Sequence, residues 1–102
     1  MNEQEQFNAL IKSRQQNLGL SDEKFAALFG LTHTSIARYK SGGNLNMDAR
    51  EKMIDYYITL RDYEMVGALL AYRTGRILSP IRCVELGRAF VDGQEVKKKQ
   101  ND

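Results

Sequence analysis

Between Asp22 and Lys40 the chain reads DEKFAALFGLTHTSIARYK, and this stretch limits the fold more than any other. Ala26 stands four residues before Gly30, Ile36 six after it, and Tyr39 three beyond Ile36. Ser21 is placed to N-cap a first short helix, with Asp22 and Glu23 in the opening turn, where the helix dipole favours negative charge. Gly30 stops that helix; Thr32 caps the next, and Ser41-Gly42-Gly43 ends it. Two helices this short, joined through a glycine-bearing turn, must cross closely at a steep angle. The first then needs a small residue at the contact (Ala26), and the turn needs one free to take positive φ (Gly30). The second needs apolar residues i, i+3 facing back, a need met by Ile36 and Tyr39. Phe25, Phe29 and Leu31 fill the space around them.

The rest of the chain also reads as helix. One proline, Pro80, interrupts it, and no stretch alternates polar and apolar residues over a strand length. A first helix is expected from Glu3 to about Asn17, with Phe7, Leu10, Ile11 and Arg14 on one face and Gly19 at its end. A fourth is expected over Met47–Leu60, with Met53, Ile54, Tyr57, Ile58 and Leu60 inward. Asp62 caps a fifth, bearing Tyr63, Val66, Leu69 and Leu70 and ending at Gly75. Ser79-Pro80 opens a sixth that runs to about Val91 and carries Gly87 inside it. Asp92-Gly93 is expected to break the chain and leave 92–102 as a flexible tail. Leu, Ile, Val and Phe supply 25 of the 102 residues, enough for a packed core, but the length leaves no room for two.

Other features exclude whole classes. The longest apolar run, Met65 to Tyr72, is eight residues, far short of a membrane span. The opening MNEQEQFNAL carries two glutamates where a secretory signal would place lysines. A single cysteine, Cys83, and a single histidine, His33, rule out an internal disulfide framework and a His/Cys metal cluster within one chain. A reduced, cytoplasmic protein without cofactor is expected. The net charge is only +2; residues 1–60 balance at seven basic and seven acidic, and the excess lies in 61–102, where Lys97, Lys98 and Lys99 fall together. Charge alone therefore does not mark a nucleic-acid binder.

With the small residue, the glycine and both apolar positions in register, residues 22–40 resemble the helix-turn-helix repressors of the phage Cro and repressor type, the XRE-like family. The similarity of layout extends over about 3–60; residues beyond 61 lie outside it. The resemblance implies an all-α, lambda-repressor-like helix-turn-helix bundle over 1–60, with a C-terminal helical extension over 61–91. It also implies that His33–Lys40 is the recognition helix, lying in the DNA major groove. Projected on a helix, Ile36 and Tyr39 point inward and leave His33, Thr34, Ser35 and Arg38 outside. Thr34 and Ser35 can exchange hydrogen bonds with base edges, and Arg38 can take guanine O6 and N7 together. Phosphate contacts are expected from Thr32, Lys40, Ser41, Asn44 and Asn46. One departure stands out: the first position of the first motif helix is often glutamine in this family, and here it is Asp22, whose carboxylate repels phosphate.

Blander roles stand beside these. Arg38 fits a phosphate as well as a base, and His33 also reads as a mere helix opener. Asp22 and Glu23 complement the helix dipole, or form an acidic surface toward RNA polymerase as in some activators of this type. Cys83 is a small buried hydrophobe, and Tyr56, Tyr57, Tyr63 and Tyr72 belong to core or interface.

The expected function is sequence-specific binding of a palindromic double-stranded DNA operator by a homodimer, which represses transcription by occupying a promoter and catalyses no reaction. Such small repressors are typical of phages and plasmids. RNA polymerase or a second regulator are further candidate partners, and no membrane is expected to be one. The alternative is an antitoxin-like protein that neutralises a toxin partner and autoregulates its operon; co-purification of a second small protein separates the two. One recognition helix reads few base pairs, so a dimer is required. Its interface is expected in 61–91, through Tyr63, Val66, Leu69, Leu70, Ile77, Ile81, Val84 and Phe90.

Overall fold

The computed structural model describes residues 3–72 and 78–100, and among these every regular element is a helix. The six are α1 (Glu3–Leu18), α2 (Asp22–Leu28), α3 (His33–Lys40), α4 (Met47–Thr59), α5 (Tyr63–Ala71) and α6 (Pro80–Gln100). Their starts are set by side chains. Ser21, Thr32, Asn46 and Asp62 each accept a hydrogen bond from the backbone amide three residues on, and Ser79 Oγ does the same for Arg82.

Four of the ends share one device, in which a left-handed residue lets two amides close back on the last turn; after α1 that residue is Gly19, at φ +65°. Gly30, at φ +70°, donates to Ala27 O at 3.2 Å while Leu31 donates to Ala26 O at 3.0 Å. Gly42 and Gly43 repeat this on Tyr39 O and Arg38 O after α3. After α4 the left-handed position falls to Arg61, at φ 54°. Asp62 then donates to Tyr57 O at 3.0 Å.

One core joins the first five helices. Phe7 and Ile11 of α1, Phe25 and Ala26 of α2, Ile36 and Tyr39 of α3, and Met53, Ile54 and Tyr57 of α4 are all buried in it. Phe29 stands at its centre of aromatic contacts, edge-on to Phe25 and to Tyr56 at ring distances of 5.1 Å. The core does not stop at Leu60: Met65, Val66, Leu69 and Tyr72 of α5 belong to the same cluster. Arg14 ties α1 to the start of α5 through Asp62 at 2.9 Å and Glu64 at 2.8 Å. Hydrogen bonding to Asp62 first, and to Glu64, pushes this guanidinium's pKa further up. Arg50 closes the other end of α5, donating to Leu69 O at 2.7 Å and Leu70 O at 3.1 Å, where the helix dipole favours a cation.

Helix α6 lies antiparallel on α5, held apart by no side chain at two points. A Cβ on Gly67 would stand 1.8 Å from Cys83 O, and one on Gly87 2.1 Å from Tyr63 O. Gly87, an interruption by propensity, is thus where one helix backbone meets the other. Two expectations are corrected. Leu60 is not inward but 55% exposed, because α4 ends at Thr59 and Leu60 caps it. The flexible tail from 92 is replaced by helix: α6 continues through Asp92-Gly93 to Gln100. A single glycine weakens a helix without ending it, and here Val91 is buried and Arg61 reaches Glu95 at 2.7 Å. The expected end of α5 at Gly75 lies outside the described residues.

Candidate nucleic-acid interface

The short length of α3 is offset by caps at both ends and by two buried anchors, Ile36 and Tyr39, each fully inaccessible to solvent. With those two inward, the opposite face presents His33, Thr34, Ala37 and Arg38, all exposed. Arg38 is guided as it leaves the helix. Its stem passes over Gly43, where a Cβ would stand 2.3 Å from Arg38 Cγ, and its guanidinium lies 5.4 Å from the Tyr39 ring centroid. Gly43 therefore does more than end α3, because any side chain there would push Arg38 aside.

The phosphate candidates divide. Thr32 Oγ1 accepts from the Ser35 amide at 3.3 Å and shares a hydrogen bond with Ser35 Oγ at 3.2 Å, so both hydroxyls are partnered at the cap. Ser41 Oγ donates back to Ala37 O at 3.0 Å. Asn46 is exposed, but its Oδ1 caps α4 by accepting from Ala49 N at 2.8 Å. Asn44 is exposed on the loop between α3 and α4. That loop is pinned underneath by Leu45, fully buried, whose amide donates to Tyr72 Oη at 3.1 Å. Tyr72 in turn donates to Gln4 Oε1 on α1.

Lys40 is held rather than free. Its Nζ lies 2.6 Å from Asp22 Oδ1, which also accepts from Gln15 Nε2 at 2.7 Å. These two hydrogen bonds, Lys40's the stronger influence, hold the Asp22 carboxyl below the usual carboxylate range. Sequence reasoning assigned Asp22 to the helix dipole and missed this cluster. The signal was present: Gln15 continues the row Phe7, Ile11 at spacing four and is buried. Ala37 was missed as well, although the projection that exposes His33 and Arg38 exposes it too.

Comparison of the chain with protein-family models, curated sequences and solved structures finds no match. Its own geometry is what bears on function.

The residues expected at a subunit interface also divide. Val66 and Leu69 are buried in the chain's own core, because α5 is one of its walls, and so leave the set expected to meet a partner. Tyr63, Leu70, Val84 and Phe90 are half-buried, Ile81 is 73% exposed, and Ile77 lies outside the described residues. Leu86, absent from the expected set, is 39% exposed and lines an open groove with Leu70, Leu78 and Phe90. Cys83 is buried against α5, and that burial raises its thiol pKa. Among the described residues no helix is long and apolar enough to cross a membrane.

Proposed function

We propose that the protein is a sequence-specific DNA-binding repressor of the lambda-repressor-like helix-turn-helix type, with α2 as the supporting helix and α3 in the major groove. The observation that carries this reading is the division of α3: Ile36 and Tyr39 fully buried, His33, Thr34, Ala37 and Arg38 outward. That face holds what base reading needs: a guanidinium for guanine, a threonine with hydroxyl and methyl, an imidazole, and an alanine methyl to meet thymine. It carries no carboxylate. Arg38, laid over Gly43, is the base-reading residue, and Asn44 with the backbone at the α3 start grips phosphates.

The binding unit is a homodimer on a palindromic site, whose half-site centres lie about 34 Å or a multiple apart. Exposed Ile81 and half-buried Leu70, Val84 and Phe90 supply apolar surface for the subunit contact. Repression follows by occupancy of a promoter. Footprinting on the DNA around the protein's own gene tests this reading; two protected half-sites related by a dyad are expected. Uniform protection without sequence preference would overturn sequence-specific binding, and one isolated half-site would overturn the dimer.

A further inference from the structure

The cluster that holds Lys40 lies where α1, α2 and α3 meet. Asp22 and Lys40 are each about one-third exposed, at side-chain values of 33% and 30%, so the pair is open to exchange with solutes. Beside it Lys12, Gln15, Gln16, Gly19, Leu20 and Lys40 line an open cleft of about 360 Å³. Lys12 has no carboxylate within ion-pair distance among the described residues. Two cations and two amide side chains thus border one cleft, and among the described residues Asp22 is the only carboxylate within ion-pair distance of Lys40.

We infer that this cleft is a seat for a DNA backbone phosphate and that Asp22 is its removable counter-ion, exchanged for phosphate at Lys40 when DNA binds. The inference rests on the reading of α2–α3 as a DNA-binding unit. Asp22 then holds affinity down: an ion pair present in the free protein must open before Lys40 neutralises a phosphate. Lys12, across the same cleft, keeps its charge available throughout. Affinity at this cleft is set by competition between two anions.

Binding of a short random-sequence duplex, followed by fluorescence anisotropy across a salt series, tests the exchange without knowledge of an operator. Asp22→Asn keeps an oxygen acceptor for Gln15 and removes the charge. It should bind about two- to fivefold more tightly at low salt, the range set by the strength of exposed ion pairs. Its log affinity against log salt should keep about the wild-type slope, because Lys40 neutralises the same phosphate in both proteins. Lys40→Gln should weaken binding, make the slope shallower and abolish the gain from Asp22→Asn in the double variant. Glu23→Gln, the same charge change at an exposed neighbour, should leave the affinity close to that of wild type. An Asp22→Asn protein matching wild type in affinity overturns the exchange, as does a Glu23→Gln protein that shows the same gain. If Asp22→Asn does not fold, Lys40→Gln decides alone, and an unchanged slope overturns the proposal. A wild-type protein that binds no duplex even at low salt overturns the DNA reading itself, and this inference with it.

Discussion

The α2–α3 pair and the α5–α6 pair are both tight helix crossings, yet they achieve closeness by different means. In the first, α2 is two turns long, the contact residue is Ala26, and the sharp turn comes from Gly30 with its Schellman hydrogen bonds. Every determinant lies within residues 21–43, at spacings a helical projection displays. In the second, the partners are joined through residues 72–79, and closeness comes from removing side chains altogether at Gly67 and Gly87. A glycine that makes a turn and a glycine that makes a contact look alike in a sequence. Only the register of two distant helices tells them apart.

The comparison breaks most visibly at Gly67. By intrinsic propensity, alanine in a helix interior is better than glycine by about 0.5–1 kcal/mol. Here the new methyl would stand 1.8 Å from Cys83 O and 2.5 Å from its carbonyl carbon, backbone atoms that no rotamer change relieves. Gly67→Ala should therefore destabilise by about 3 kcal/mol or more, the upper end of overpacking costs, as read by urea denaturation. Hydrogen exchange in α6 should rise with it. A Gly67→Ala protein as stable as wild type would falsify the close crossing.

At Gly30 the cost has another origin. A Cβ there meets nothing within 4 Å, so space is not the constraint; φ +70° is. Gly30→Val should lose about 2–3 kcal/mol, since a β-branched residue rarely adopts that backbone, and Gly30→Asn distinctly less. DNA binding should fall with the valine variant, because α3 loses its angle to α2. Equal melting temperatures for the valine and asparagine variants would mean that the backbone angle is not what glycine supplies here.

Much of the fold was legible because its signals are local. The caps at Ser21, Thr32, Asp62 and Ser79 and the anchors Ile36 and Tyr39 fall where sequence reasoning puts them. What stayed hidden depends on distant partners. Arg61 adopts a left-handed conformation despite its side chain, and its ion pair with Glu95 joins the start of α5 to the far end of α6. Asn46 stands directly before the expected start of α4 at Met47, so its role as cap was legible, but sequence reasoning assigned it to phosphate instead. Lys40 was legible as basic, yet its pairing with Asp22 requires the crossing angle of α2 and α3. The exposed face of α3 was legible in outline, short of Ala37, whose lack of a polar group hid it.

Arg38→Ala sharpens the comparison at the level of function. It should lower affinity for a selected operator by about 1–3 kcal/mol and relax preference at one position per half-site, as loss of a bidentate guanine contact does. Affinity falling equally on operator and random duplex would instead assign Arg38 to phosphate. Stability should barely change, because Arg38 is exposed and its guanidinium only rests near Tyr39.

The smallest effect is expected at Gly93, and it is the sharpest control on Gly67. Both glycines lie inside helices, and the substitution is the same single methyl. At Gly93 that methyl would meet nothing within 4 Å, and no positive φ is required. Only propensity and unfolded-chain entropy remain, both of which favour alanine. Gly93→Ala should therefore stabilise, by about 0.5–1 kcal/mol at most, opposite in sign to Gly67→Ala. The gain depends on α6 being helical through Asp92-Gly93, as the buried Val91 and the Arg61–Glu95 pair require. Paired melting curves of the two variants and wild type measure the difference directly. If Gly93→Ala leaves the melting curve untouched while Gly67→Ala lowers it, α6 ends near Asp92 in solution and the Arg61–Glu95 tie does not hold its last turns.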